Sequence, residues 1–240
     1  MRKFGLACIG VLLAGAAAAE SVPAPKVATD DSWTYQSTVE NRKGWQQTRN
    51  ETTVVRASAA SIVLSVKPAG STMPPTEQLV GPDWSRLRSV NGHETVVNQP
   101  LSFPLRIGKS WEVEFTETQP NRQLSSEHLR VVYKVTGWED VVVPAGTFHA
   151  LKIEADGTWS AVLAPAATGG SATRVDAQGA TTVVQTGRTT PTAVSGRNYK
   201  AFWYVPEVKK WVKAVEESYD GNGVRTERLL SELASYKVSN

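Results

Sequence analysis

Cysteine is nearly missing from this chain: Cys8 is the only one among 240 residues, which leaves no intrachain disulfide to staple the fold. Long apolar runs are also missing. The most continuous, Phe4 to Leu13, is about half the ~20 residues that a membrane helix requires, so no transmembrane segment is expected in the mature chain. The sequence contains no HExxH, His-x-His or cysteine pair, and His93, His128 and His149 lie far apart; neither a metal site nor any other cofactor is expected. It also lacks a GxSxG elbow, an SxxK pair, a phosphate loop and a dinucleotide fingerprint. No catalytic residue is therefore assigned, and a non-enzymatic role is favoured over an envelope hydrolase.

A large excess of one charge sign is absent too. Twenty-six Lys and Arg stand against 23 Asp and Glu, a net charge of +3, and the first residues account for most of the excess. Arg2 and Lys3 precede the apolar stretch, while Ala14 to Ala19 supplies the small residues of an A-x-A cleavage pattern before Glu20. Residues 1–19 read as a secretory signal peptide cleaved after Ala19, giving a periplasmic or secreted protein. Cleavage would remove Cys8 and two cations, leaving 24 basic and 23 acidic residues. The high pI of the whole chain is then no sign of nucleic-acid binding. Too few apolar residues precede Leu6-Ala7-Cys8 for a lipid-attachment signal.

What the chain does contain is β signal. After an N-terminal lead, residues 20–29, short segments rich in Val, Thr, Trp and Tyr alternate with turn residues every ten or so positions. Trp33, Tyr35, Ser37 and Val39 alternate with polar residues, and Asn41 to Gly44 forms a hairpin turn. Four prolines between Pro68 and Asp83 restrict that stretch to loop or edge. Pro144-Ala145-Gly146 joins two strongly patterned strands, with Pro fixing φ and Gly free to take a positive one. Asp220-Gly221-Asn222-Gly223 predicts a last hairpin into Val224 to Val238. Between Ser160 and Asn198, 24 of 39 residues are Ala, Thr, Gly or Ser, too little apolar material to build a core. Residues 160–198 therefore read as a flexible insertion. The expectation is one all-β domain, residues 30–240, of roughly ten antiparallel strands: a strongly curved sheet, a partly closed barrel or a sandwich.

Two long motifs, WEDVVVPAGTFHALKIE from Trp138 and FWYVPEVKKWVK from Phe202, stand beside the shorter Asp31-Ser32-Trp33-Thr34-Tyr35 and PLRIGKSW from Pro104. Together they resemble a family of secreted proteins of Gram-negative bacteria carrying a TapB-like or related domain of unknown function. The resemblance covers most of the mature chain outside residues 160–198. It implies export and a β-rich fold and transfers no catalytic residue.

Eight tryptophans are many for this length, and with no mature cysteine they are expected to supply much of the core. Trp111, Trp203 and Trp211 are the candidates for lining a pocket for an apolar or amphipathic ligand. Trp203 and Tyr204, as strand neighbours, must face opposite sides. Lys209, Lys210 and Lys213 read as a solvated strand with its charge offset by Glu207, Glu216 and Glu217. The function expected is a binding or accessory protein of the cell envelope, with a structural or protein-interaction module as the alternative and an envelope protein as the alternative partner.

Overall fold

The computed structural model describes residues 21–164, 171–175, 181–185 and 192–239. The expected signal peptide and part of the expected insertion lie outside the described residues. Fourteen strands are present among the described residues: β1 Ser32–Asn41, β2 Gly44–Ala57, β3 Ile62–Pro68, β4 Thr76–Val80, β5 Arg86–Val90, β6 His93–Asn98, β7 Ser110–Asn121, β8 Leu124–Val143, β9 Gly146–Leu163, β10 Ser171–Val175, β11 Thr181–Gln185, β12 Thr192–Val205, β13 Lys210–Asp220 and β14 Arg225–Lys237. A single 3₁₀ turn, η1 Pro206–Val208, is the one helical element described.

Ten strands form one antiparallel ladder in the order β4-β3-β2-β1-β14-β13-β12-β9-β8-β7, and β5-β6 and β10-β11 are separate hairpins. The all-β expectation holds, while the strands described number fourteen against the ten or so expected, ten of them in the largest sheet. The ladder does not close into a barrel: β4 and β7 are its two edges. Nine gaps of about 4.8 Å would make a flat sheet roughly 43 Å wide, yet Leu64 and Val80 from one side and Val113 from the other share a single core cluster. The sheet must therefore curl. Inside the curl lies the segment between β4 and β7, which contributes Trp84, Leu101 and Leu105 to that cluster. Strand β5 touches both β4 and β7. Asn91, at the β5-β6 tip, accepts from Thr118 N and donates to Thr116 O, each at 2.8 Å, so the hairpin covers edge groups that β7 would otherwise expose.

The turns follow local chemistry. Val143 pairs with Gly146 around Pro144-Ala145, with Gly146 at φ +136°. The turn is also anchored at long range, since Ala145 N donates to Leu233 O at 3.0 Å. The Ala/Thr/Gly-rich stretch is more regular than its composition suggests. β9 and β12 stay paired out to Leu163 and Thr192, and β10-β11 is a further hairpin. Ser195-Gly196 belongs to β12, and Gly196 is required there. A Cβ would lie 2.1 Å from Tyr219 O and 2.6 Å from the Trp159 ring.

Candidate functional site

The motif segments meet at the end of the sheet where β1 begins and β12 ends. Three side chains donate to carbonyls along the run from η1 into β13: Trp33 Nε1 to Val208 O at 2.8 Å, Trp84 Nε1 to Lys209 O at 3.1 Å, and Tyr35 OH to Trp211 O at 2.5 Å. Asp31, 1% exposed, accepts from Lys209 Nζ at 2.9 Å, from Ala28 N at 2.9 Å and from Ser239 N at 2.7 Å. Burial alone would raise the Asp31 carboxyl, but these donors hold it below its ordinary value.

Lys210 enters the same junction. Its Nζ lies 4.6 Å from the ring centroid of Trp84, 5.1 Å from Trp33, 5.2 Å from Tyr35 and 5.3 Å from Trp211. Burial pushes this amine down to about 7, against the attraction of four ring faces for the charged form. Lys209 and Lys210 are thus buried, not solvated as the sequence suggested. Lys209 takes a left-handed conformation at φ +62° as it closes η1, and that interrupts the strand alternation on which the solvated reading rested.

The three tryptophans expected to line a pocket occupy three separate surroundings. Trp211 belongs to the junction, edge-on to Trp84 at 6.1 Å and to Phe202 at 5.4 Å. Trp111 stacks on Tyr133 at 5.4 Å and donates to Gln99 O at 2.8 Å. Trp203 faces away from Tyr204, which is fully buried. Its Nε1 donates to Glu139 Oε1 at 2.5 Å, and Lys152 and Lys213 lie over the ring at 5.4 and 5.6 Å. The aromatic core expected from the composition is present at the junction, filled by the chain's own lysine.

A different group of motif residues surrounds open space. A cleft of about 500 Å³ lies where the β8-β9 tip meets η1 and the end of β14, lined by Trp138, Phe148, His149, Pro206, Glu207 and Tyr236 among others. Trp138 stacks on His149 at 5.3 Å, and Phe148 meets Tyr236 edge-on at 6.1 Å. His149 Nδ1 and Asp140 Oδ1 are 2.7 Å apart, both well exposed. The arrangement combines aromatic walls with a carboxylate and an imidazole, chemistry suited to holding an amphipathic molecule. Five of these six lining residues lie in the two long motifs, but the sequence does not show that they meet, because three elements distant in the chain build the cleft. A second imidazole string, Thr116 Oγ1 to His128 Nδ1 at 3.0 Å with Glu114 3.4 Å from Nε2, stands on an exposed part of the sheet. Among the described residues no cluster of His, Cys, Asp and Glu could hold a metal, and no helix is long and apolar enough to cross a membrane.

No family model matches the chain, and no curated protein does. Solved structures give distant likenesses. A candidate exported protein with a YmcC-like fold from Bacteroides fragilis is 14% identical, with 90% of this chain and 99% of that one covered at a TM-score of 0.43. A candidate lipoprotein from Parabacteroides distasonis is 11% identical, covering 91% and 100% at 0.45. The hypothetical lipoprotein YmcC of Escherichia coli is 10% identical, covering 85% and 84% at 0.34. With every one of these TM-scores below 0.5, function has to come from the residues.

Proposed function

We propose that this chain is a non-catalytic binding or accessory protein of the cell envelope that holds an amphipathic partner in the cleft between the β8-β9 tip, η1 and β14. Membership of a TapB-like secreted family and location in the periplasm or outside the cell, after cleavage behind Ala19, are parts of the same proposal. The carrying observation is that Trp138, Phe148, Pro206 and Tyr236 line about 500 Å³ of accessible space together with His149 and Glu207. The ligand-facing role expected of Trp111, Trp203 and Trp211 passes in this reading to Trp138, Phe148 and Tyr236. Trp203 has a supporting part, through its bond to Glu139 beside Trp138. Hydrolysis is the weaker reading: Asp140 and His149 have side chains 75% and 66% exposed, far from the dry, preorganised setting that catalysis uses.

The test is native mass spectrometry of the exported protein, paired with titration of the neutral amphipathic fluorophore N-phenyl-1-naphthylamine. A retained adduct and a saturable fluorescence rise, both lost in Trp138→Ala/Phe148→Ala, support the cleft. Binding that survives the double substitution places the partner elsewhere and defeats the reading.

A further inference from the structure

The cleft at the β8-β9 tip has a charge pattern as well as aromatic walls. No lysine or arginine lines it, while Glu207 does. The local chain explains why Glu207 is there. Pro206 opens η1 and Val208 is buried, with Val208 O held by Trp33 Nε1 at 2.8 Å. The short turn is thus pinned by its inner residue, and Glu207 between the two stays exposed.

The ammonium groups near this junction are engaged elsewhere. Lys209 lies 2.9 Å from Asp31, Lys152 3.0 Å from Glu154 and Lys213 3.4 Å from Glu232. Lys237 follows Tyr236 in an extended strand and points to its other side. Glu207 joins no ion pair among the described residues. Its charge is felt inside the sheet, where burial first, and then the Glu207 carboxylate, push the buried Tyr204 hydroxyl up. The one imidazole of the cleft, His149, sits 2.7 Å from Asp140 and so brings a second carboxylate with it.

This space is negative in a chain whose net charge is +3. Whole-molecule charge would draw anions, so any preference for cations has to be local. The walls agree with the carboxylate, because ring faces attract ammonium groups. The chain uses that attraction once already, with Lys210 Nζ among four ring faces in the core. A volume of about 500 Å³ suits a small molecule rather than a folded partner.

We infer that the cleft selects a cationic amphiphile, a small molecule with an apolar body and an alkylammonium head, with Glu207 as its counter-ion and Trp138, Phe148 and Tyr236 as the rings it lies against. The inference rests on the binding reading of the cleft and adds the sign of the ligand's charge.

Competition against N-phenyl-1-naphthylamine tests it, with decyltrimethylammonium, decyl maltoside and decanesulfonate, which share one alkyl tail, each kept below its micelle concentration. The ammonium is expected to bind about tenfold more tightly than the maltoside, and the sulfonate most weakly. Glu207→Gln should bring the ammonium-to-maltoside ratio down toward one. Glu77→Gln removes the same charge from an exposed position on β4, outside the cleft lining, and should keep the ratio. Equal affinity for the three heads, preference for the sulfonate, a ratio undiminished in Glu207→Gln, or one lost equally in Glu77→Gln overturns the inference, while saturable binding of the fluorophore leaves the cleft reading standing. Absence of fluorophore binding, or binding that survives Trp138→Ala/Phe148→Ala, removes the cleft reading and this inference with it.

Discussion

The two ends of the sheet are built on opposite plans. At the end where β1 starts, Asp31, Trp33, Trp84, Lys209 and Lys210 are all buried, and polar groups there are committed to one another or to ring faces. At the end where β1 turns into β2, the tips are exposed, and the contacts between the β1-β2 and β13-β14 tips include the pair Arg42–Asp220, 3.2 Å apart. Charge in the first region is structural and hard to change. In the second it is arranged on a surface and free to meet something else. The contrast teaches where to look for function: away from the densest aromatic cluster, which holds the fold, and toward the cleft.

The sharpest way to break the comparison is Asp31→Ala, which leaves the Lys209 ammonium buried without its carboxylate and removes the acceptor of Ser239. A loss of about 3–5 kcal/mol in denaturant unfolding is expected. A loss below 1 kcal/mol would show that water reaches Lys209.

Lys210→Met refines the same end. With the folded amine lowered to about 7 and the unfolded one near its ordinary 10.5, the unfolded chain holds the extra proton between those values. Stability contributed by this group therefore rises with pH through that window, by up to about 1.4 kcal/mol per pH unit, and is level below pH 7. Unfolding measured from pH 7 to 9.5 should show this slope in the parent and lack it in Lys210→Met. Parallel curves would mean that the four rings keep the ammonium charged throughout.

The smallest effect belongs to the open end. Arg42→Ala removes a guanidinium whose side chain is 72% exposed and should change stability by less than about 0.5 kcal/mol. A larger loss would mean that the hairpin tips are tied together more firmly than their exposure implies.

Much of the strand pattern was legible in the sequence because it rests on local rules. Alternation around Trp33 and Tyr35, the proline-rich run that became the edge strand β4, and the turns at Asn41–Gly44, Pro144-Ala145 and Asp220–Gly223 all follow from neighbours in the chain. The last segment, whose leucines would also have suited a helix, is β14 as its hairpin turn required. Burial of Lys209 and Lys210 was illegible, since nothing in Val-Lys-Lys-Trp reveals that Asp31 and three distant rings converge on it. The cleft was illegible for the same reason. Phe148 and His149 read as ordinary strand residues until Tyr236 and Glu207 arrive from elsewhere.

One consequence follows from the pairing of β1 with β14, in which Ser32 stands opposite Lys237. The first strand described pairs with the last one described. Until β14 has docked, β1 presents an unpaired edge, and such edges invite pairing with other chains. The ring that joins them spans nearly the whole sequence, so its closure is slow by the measure of contact order. The sheet cannot be completed part-way: until β14 is in place, β1 keeps one edge open.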